Sequence, residues 1–284
     1  MFSRTKPIMI IILFMLCVYY PANLTRAPDK FTDISSNKSP YEIRLVNYNI
    51  SHGCSHLNGP EDLHVASLIL ARGGSKGIRH KNLAKINGTT LLKRSLMVIH
   101  DFGRFSSVWV STDSTDIAEE ANTAGAQVHW RSSESATDFA PSIVGVQDFC
   151  SFHPEVDVVA LIQCTSPFLK AEFLAEAYSK MQDGKYDCVF SVTREYKLRW
   201  KKLPDGDVKP INFDPKKRPR RQDWDGELVE NGMFYFATAN LITYGLLQGG
   251  RCGTVDIPKE YSNEIDSPFD LQAAEAQLHA HSFL

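Results

Sequence analysis

The segment that decides the fold is residues 65–82, with the sequence VASLILARGGSKGIRHKN. Residues 65–70 form a short continuous apolar run, which is typical of a strand buried on both faces of a parallel sheet. A glycine-rich turn with several cations follows directly. Because ligands of open α/β sheets bind beyond the carboxyl ends of the strands, the segment predicts a strand that leads into a ligand-binding loop.

The glycine-rich turn has the residue types needed to hold a string of phosphates. Its glycines allow backbone N–H groups to approach phosphate oxygens closely, and its cations supply compensating charge. These residues are Gly73, Gly74 and Gly77 and the cations Arg72, Lys76 and Lys81. The turn matches neither a Walker A loop nor a Gly-x-Gly-x-x-Gly fingerprint. A purely structural turn is the alternative, but the interleaved cations favour a nucleoside triphosphate.

Downstream of the turn, strand and helix patterns alternate. Apolar runs predict strands at residues 107–110, 156–162, 188–192 and 233–236, and amphipathic periods predict helices at 91–99, 116–124, 172–181 and 271–279. This alternation predicts an α/β fold, a mostly parallel open sheet with helices on both faces. Residues 194–227 break the pattern and are interpreted as an excursion from the sheet, either a lid or a dimer-forming hairpin.

Composition excludes some classes of protein. The chain has 284 residues, 43% of them hydrophobic, which suffices for one sizeable core. A net charge of −2 argues against bulk binding of nucleic acid, which requires a basic excess. The six cysteines contain no Cys-x-x-Cys pair, so neither a zinc site nor a dense disulfide framework is indicated, and individual disulfides stay open.

The N-terminus indicates entry into the secretory pathway. Residues 1–7 carry two cations and precede an apolar run at 8–20, which is too short for an ordinary membrane span. The run is interpreted as a signal anchor or a signal peptide, and residue Tyr20 disfavours cleavage after Ala22. We therefore predict a short cytosolic tail (1–7), a stem or linker (21–63) and a folded catalytic domain (64–284). Sequons predict glycosylation at Asn23, Asn49 and Asn87.

Several motifs together resemble one enzyme family. They are Ala-Arg-x-x-Ser-Lys-Gly-x-x-x-Lys-Asn at 71–82, Ser-Thr-Asp-x-x-x-Ile-Ala-Glu-Glu-Ala at 111–121, Arg131 followed by Ser-Ala-Thr-Asp at 135–138, Gln-Cys-Thr-Ser-Pro at 163–167, Pro-Arg-Arg-Gln-Asp-Trp at 219–224, Glu-Asn-Gly-x-Phe-Tyr at 230–235 and Glu-Ile-Asp at 264–266. In this order they resemble the CMP-sialic acid synthetases, the N-acylneuraminate cytidylyltransferases. The sequence of residues 219–235 is similar to that of the animal branch of the family. The chain is expected to resemble animal members without their C-terminal phosphatase-like module.

The resemblance implies a Rossmann-like nucleotidyltransferase that transfers CMP from CTP to the anomeric hydroxyl of a sialic acid and releases pyrophosphate. It assigns roles to residues of this chain. The catalytic group is Lys81, Arg72 and Lys76; the nucleotide-binding group is Arg72, Gly73, Ser75, Asn82, Arg131 and Ser142; and the sugar-binding group is Gln163, Arg220, Arg221, Asn231 and Tyr235. Either Arg220 or Arg221 is expected to bind the sugar carboxylate. Cys164 is interpreted as a buried thiol rather than a nucleophile.

The resemblance also implies a magnesium site, or a site for another divalent metal, at Glu264 and Asp266. The family has aspartate where this chain has Glu264, which leaves the metal preference open. Carboxylate oxygens suit such a cation in either case. Asp270 is interpreted as a reserve ligand or as a cap of the last helix.

The sequence also leads to expectations about assembly, cellular location and alternative functions. The resemblance implies a homodimer in which the excursion reaches the partner's pocket, and the partners are CTP and sialic acid, with no nucleic acid. The N-terminus predicts the secretory lumen, in particular the Golgi, with membrane contact only through that segment; the basic cluster at 216–221 makes a nuclear location the alternative. The rivals are a cytidylyltransferase for another acidic keto-sugar and a Golgi glycosyltransferase, although residues 111–113 lack the Asp-x-Asp motif typical of the latter.

Overall fold

The computed structural model of the chain describes residues 63–74, 77–137 and 139–281. In chain order the elements are β1 (Val65–Leu70), β2 (Lys85–Ile86), β3 (Thr89–Thr90), α1 (Leu91–Phe102), β4 (Ser107–Thr112), α2 (Thr115–Thr123), β5 (Gln127–Trp130), α3 (Ser142–Phe152), β6 (Val158–Ile162), α4 (Ala171–Gln182), β7 (Cys188–Glu195), β8 (Trp200–Lys202), β9 (Val208–Pro210), β10 (Glu227–Thr238), α5 (Ala239–Thr243), β11 (Cys252–Asp256) and α6 (Pro268–His281). The predicted tail and anchor, nearly all of the stem, and the sequons at Asn23 and Asn49 lie outside the described residues.

A seven-stranded sheet in the order β11-β7-β10-β6-β1-β4-β5 forms the centre of the domain. Strand β1 pairs in parallel with both β4 and β6, and β7 pairs in parallel with β11. Strand β10 is antiparallel to both of its neighbours, β6 and β7. The mostly parallel sheet is therefore confirmed, and the carboxyl ends of six strands lie at the same end of the sheet as the beginning of β10.

Helices cover both faces of this sheet, as predicted. Helices α1, α2 and α4 pack on one face, where Ile69 of β1 contributes to the core. Helices α3 and α5 pack on the other face, where the neighbouring residue Leu68 contributes. Successive side chains of a strand point to opposite faces, so a strand covered on both sides is apolar at nearly every position. This is why β1 is a continuous apolar run.

The element boundaries differ from the predicted ones where exposed residues carry no pattern. Helix α1 continues from the predicted 91–99 to Phe102 and ends at Gly103, which adopts the left-handed conformation that glycine favours. Strands β5 and β11 and helix α3 were not predicted. Within the described residues, no helix combines the length and apolar character that a membrane span requires.

The predicted excursion is shorter than expected. Strand β7 continues to Glu195 and β10 begins at Glu227, so both strands extend into residues 194–227. Between them, β8 and β9 form a separate two-stranded antiparallel hairpin that is not paired with the central sheet. The short helices Pro215–Lys217 and Arg221–Asp223 follow the hairpin.

A disulfide joins the first residues of two neighbouring strands. Cys188 begins β7 and Cys252 begins β11, and the two residues are directly paired in the sheet. Strand β11 is the last strand of the sheet and pairs only with β7. The disulfide therefore attaches the sheet's edge strand covalently to its neighbour. Cys150 and Cys164 are free.

Candidate active site

The glycine-rich turn lies against the carboxyl end of β4. The Gly73 N–H donates a 2.7 Å hydrogen bond to Oδ1 of Asp113, the residue after β4. A Cβ atom at position 73 would lie 2.9 Å from Cβ of Ser114, which is closer than side chains pack. Gly73 is therefore required by the close approach of two backbone segments. The predicted residues Ser75 and Lys76 lie outside the described residues.

Asn82 connects the end of the loop to its beginning and to the neighbouring strand. Its buried amide Nδ2 donates a 3.1 Å hydrogen bond to the carbonyl oxygen of Arg72. Its Oδ1 accepts from the thiol of Cys164, which follows β6, at 3.1 Å. Burial raises the pKa of the Cys164 thiol to about 12, so the thiol stays protonated. Cys164 is a buried structural thiol, as predicted.

A cavity of about 350 Å³ opens between this loop and the ends of β1, β5 and β6. It brings together predicted residues that are nearly 200 positions apart in the sequence. The predicted residues that line it are Arg72, Lys81, Asn82, Arg131, Ser142, Gln163 and Glu264, and its other walls include Thr137 and Thr165. Two of the predicted phosphate-binding cations, Arg72 and Lys81, therefore share one cavity with the predicted base-reading residues. Thr137 and Thr165 were not predicted as site residues, although each lies within a motif quoted above, at 135–138 and 163–167.

Arg131 is a half-buried cation in this cavity. Burial lowers the pKa of its guanidinium, and the charges of Asp113 and Asp148 oppose that effect. Its Nη2 donates to the carbonyl oxygen of Ser135 in the following turn. A guanidinium stays charged in proteins, so Arg131 places a cation in a partly desolvated position, where its planar fork of donors suits a nucleobase edge.

Of the two predicted metal ligands, Glu264 lines the first cavity, and Asp266 contacts Lys81, which lines the same cavity. Nζ of Lys81 lies 3.1 Å from Oδ1 of Asp266, and these side chains are 21% and 69% exposed. Burial, followed by the negative charge of Asp266, raises the pKa of Glu264. Thr165 donates a 3.2 Å hydrogen bond to Glu264 Oε1. The electrostatic repulsion between the two carboxylates is what a bound cation would relieve.

The donor set fits a hard divalent cation that shares its coordination with substrate. Glu264 and Asp266 supply carboxylate oxygens, which Mg²⁺ prefers. Among the described residues, no group of three or more His, Cys, Asp or Glu is arranged to hold a metal ion. A metal at this position would therefore take its remaining ligands from phosphate oxygens and water, as Mg²⁺ commonly does in nucleotide sites.

Asp270 has a different role from its neighbours. Its Oδ2 accepts hydrogen bonds from the backbone N–H and the hydroxyl of Ser267, both at 2.7 Å, and from Asp266 N–H at 3.1 Å. The Asp270 N–H in turn donates to Ser267 Oγ at 3.3 Å. This reciprocal arrangement is a capping box at the start of α6. Of the two interpretations, the structure has the helix cap.

A second cavity, of about 440 Å³, contains the predicted sugar residues Asn231 and Tyr235 and is also lined by Glu264. The Asn231 amide donates a 3.1 Å hydrogen bond to Ser262 Oγ. The Tyr235 hydroxyl donates to Glu230 at 3.2 Å. Burial and the charge of Glu230 raise the pKa of Tyr235 to about 12, so it remains a hydroxyl donor. Because Glu264 lines both cavities, the two are adjacent.

A third cavity, of about 550 Å³, distinguishes the two candidate arginines. Arg221 lines it and lies 4.8 Å from the ring centre of Tyr196. Arg220 is an exposed residue paired with Asp223 at 2.7 Å and does not line this cavity. Lys259, which was not predicted, lines both the second and third cavities and pairs with Glu195 at 2.8 Å. The geometry therefore favours Arg221, rather than Arg220, as the arginine nearer to the predicted sugar-binding residues Asn231 and Tyr235.

Comparison with known proteins agrees with this arrangement. Residues 66–282 match the family model described as cytidylyltransferase. The chain belongs to the cytidylyltransferase family. The family match covers the central sheet, the glycine-rich loop and all three cavities.

Individual relatives place this cytidylyltransferase more closely. It is 45% identical over 218 residues to N-acylneuraminate cytidylyltransferase A of Danio rerio, an alignment that covers 76% of this chain and 51% of that protein. It is 46% identical over 221 residues to N-acylneuraminate cytidylyltransferase of Oncorhynchus mykiss, covering 77% of this chain and 51% of that protein. The chain thus spans about half the length of the curated relatives it matches.

A solved structure confirms the fold of the cytidylyltransferase. The structure of CMP:2-keto-3-deoxy-manno-octonic acid synthetase complexed with CTP superposes with a TM-score of 0.59 at 14% sequence identity. The match covers 76% of this chain and 99% of that one. At this identity the similarity concerns the fold alone, and it agrees with the predicted nucleotidyltransferase architecture.

Proposed function

We propose that the chain transfers CMP from CTP to the anomeric hydroxyl of a sialic acid and releases pyrophosphate. The observation that carries the proposal is the shared wall between the first two cavities. Glu264 lines both the cavity with the cations Arg72 and Lys81 and the cavity with Asn231 and Tyr235. A nucleotide in the first cavity and a sugar in the second would therefore meet beside Glu264. The names of the two fish relatives support N-acylneuraminate as the sugar.

The proposed reaction requires positioning and charge neutralisation rather than a protein nucleophile. The anomeric hydroxyl oxygen attacks the α-phosphorus and its proton is released to solvent, while the bond from that phosphorus to the bridging oxygen of the β-phosphate breaks and pyrophosphate leaves with the electron pair. Lys81 and Arg72 would neutralise the charge that develops on the phosphate oxygens. Asn82 holds the loop closed, and Arg131 and Ser142 would orient the base.

Glu264 and Asp266 would hold Mg²⁺ or another divalent metal. The ion, when bound, supplies Lewis-acid charge to the phosphate oxygens. Lys81 contacts Asp266 at 3.1 Å, so its ammonium group can also orient this carboxylate. The fit of the two carboxylates to a hard cation, and the repulsion between them, support the proposal.

Release of pyrophosphate from CTP tests the proposed function. We expect release only when N-acetylneuraminate and a divalent metal are both present, because each contributes a part of the reacting assembly. Omission of either should abolish the signal. A panel of acidic eight- and nine-carbon keto-sugars tests the substrate, and faster turnover of another member would redirect the assignment to that sugar. Equal release with UTP, or release with a neutral hexose, would contradict the proposal.

We also propose that the protein works in the secretory lumen, in particular the Golgi, attached through its N-terminal segment. The disulfide between Cys188 and Cys252 supports an oxidising compartment, because disulfides rarely persist in the cytosol or nucleus. The sequon residue Asn87 supports the same location. It is exposed in the turn between β2 and β3, where an attached glycan would meet solvent.

Glycosylation at Asn87 gives this location a direct test. Replacing Thr89 with alanine destroys the sequon but leaves Asn87 in place, so we expect the chain from secretory expression to lose one glycan. Thr89→Ser keeps the sequon and is the matched control. The measurement is gel mobility with and without glycosidase. Equal mobility of both variants would argue against a glycan at this position, and no shift for any variant would favour the nuclear alternative.

We also propose that the chain forms a homodimer through the excursion. The excursion and the adjoining start of β10 expose a group of large apolar side chains, 45–58% accessible, that a second copy would cover. They are Trp200, Val208, Ile211, Leu228 and Val229. Sedimentation of the purified protein at the mass of a single chain, at micromolar concentration, would rule out this assembly.

A further inference from the structure

Helix α3 packs beside the turn that follows Arg131, and two of its residues face that turn. Gly145 and Asp148 are three positions apart on the helix and therefore share one face. Neither residue lines the first cavity. Both nevertheless influence where the Arg131 guanidinium lies. Gly145 packs directly against the guanidinium, and Asp148 forms hydrogen bonds with the turn that the guanidinium contacts.

Asp148 organises the turn with a single carboxylate oxygen. Its Oδ2 accepts from the Ser132 N–H at 3.1 Å and from the Ser135 hydroxyl at 2.9 Å. Ser135 is completely buried, and its carbonyl oxygen accepts from Arg131 Nη2. A continuous path of hydrogen bonds thus leads from α3 through Ser135 to the guanidinium in the cavity. The negative charge of Asp148 also acts on the guanidinium, since it raises the pKa of Arg131 against the lowering by burial.

Gly145 leaves the space that the guanidinium occupies. A Cβ atom at position 145 would lie 2.9 Å from Arg131 Nη2 and 3.2 Å from both terminal carbons of Leu70. The nearest obstacle is the far end of a flexible side chain and not the backbone. An alanine here would therefore be accommodated by displacement of the Arg131 guanidinium, while the backbone of the helix stays in place.

We propose that Gly145 and Asp148 are positioning residues that fix the Arg131 guanidinium for discrimination of the nucleotide base. This inference rests on the proposed function, because it requires CTP in the first cavity. Cytosine presents two neighbouring acceptors, O2 and N3, to a planar fork of donors, whereas uracil has an N3–H donor in place of the second acceptor. A guanidinium held in one orientation therefore favours cytosine over uracil, and one that is displaced discriminates less.

Gly145→Ala is the sharper test. We expect the KM for CTP to rise about tenfold, as for loss of a hydrogen bond to a charged group, and the preference for CTP over UTP to fall by a similar factor. The kcat and the KM for the sugar should be unchanged. The melting temperature should change little, because the higher helix propensity of alanine offsets the cost of displacing Arg131 and the terminal carbons of Leu70. A role in stability alone cannot raise KM while preserving the melting temperature. An unchanged KM and base preference would overturn the proposal.

Substitution of Asp148 tests the hydrogen-bonded path. Asp148→Ala should raise the KM for CTP and relax base preference, and Asp148→Asn, whose amide oxygen can still accept from Ser132 and Ser135, should restore part of both. Asp157→Ala is the matched control, because Asp157 accepts a backbone N–H of His64 at 2.8 Å at the opposite end of the sheet. It should lower the melting temperature without changing base preference. If Asp148→Ala fails to fold, Asp148→Asn and Gly145→Ala decide the question.

The wild-type chain separates failure of this inference from failure of the proposed function. If wild-type protein releases no pyrophosphate from CTP with any acidic sugar, the proposed function fails, and with it the premise of the inference. If wild-type protein turns CTP over and both α3 variants keep its KM and its base preference, the proposed function stands and the positioning role is overturned.

Discussion

Replacing Lys81 with alanine should lower kcat by about 100- to 1,000-fold, the usual cost of losing one group that stabilises charge in a transition state. The reason is the position of its ammonium group. Lys81 lines the first cavity and lies 3.1 Å from the carboxylate of Asp266. The measurement is the rate of pyrophosphate release at saturating CTP and sugar. Stability should change little, because the carboxylate that loses its partner is 69% exposed and can be hydrated.

Lys85→Ala is the matched control for this prediction. Lys85 is an exposed lysine on β2, four residues further along the same segment, and it lines none of the three cavities described above. Its replacement should leave kcat unchanged. Lys81→Arg should recover only part of the activity, because the longer guanidinium keeps the charge but not its position. Near wild-type kcat for Lys81→Ala, with an unchanged melting temperature, would remove Lys81 from the reaction.

The buried parts of the fold could be predicted from the sequence, and the exposed parts could not. Strand β1 is covered on both faces, so five of its six residues are apolar and the pattern is unambiguous. Of β10, only residues 233–236 were predicted, because the strand begins with largely exposed residues of mixed polarity and has a bulge between Glu230 and Tyr235. Its first half is held by pairing with β7, which local sequence does not reveal.

In the candidate site, too, some residues could be predicted from local sequence and others could not. Loop residues such as Arg72, Lys81 and Asn82 could be predicted because glycines and cations occur together in one short segment. Lys259 could not be predicted, because it reaches the second and third cavities only through the way the ends of β7 and β11 are arranged. Asp148 acts through the turn at Ser132 and Ser135, and that relation depends on how α3 packs. Relations of this kind are absent from local patterns.

The disulfide illustrates the same limit with a covalent bond. Six cysteines allow 15 complete pairings, and spacing alone does not select among them. Cys188 and Cys252 are 64 positions apart and meet only because β7 and β11 pair in parallel. The pair could not be identified without knowing that these two strands are neighbours, and β11 was not predicted as a strand.

Loss of this disulfide should destabilise the domain by about 4 kcal/mol, the chain-entropy estimate for a cross-link that closes a loop of this length. For a domain of this size the expected fall in melting temperature is roughly 10 °C. The variant is Cys188→Ala with Cys252→Ala, since alanine leaves no hydroxyl in the buried position of Cys188. Cys150→Ala, which removes a free and half-buried cysteine, is the matched control and should cost much less.

Thermal unfolding with and without a reducing agent separates the cross-link from the side chains. The reducing agent should lower the melting temperature of the wild-type chain and of Cys150→Ala, but not that of the double variant, which has no cross-link to lose. Peptide mapping without reduction should recover Cys188 and Cys252 in one linked fragment. Equal melting temperatures of reduced and unreduced wild-type protein would contradict the stabilising role. Because β7 and β11 end at Glu195 and Asp256, which line the third cavity, loss of the cross-link should also raise the KM for the sugar more than that for CTP.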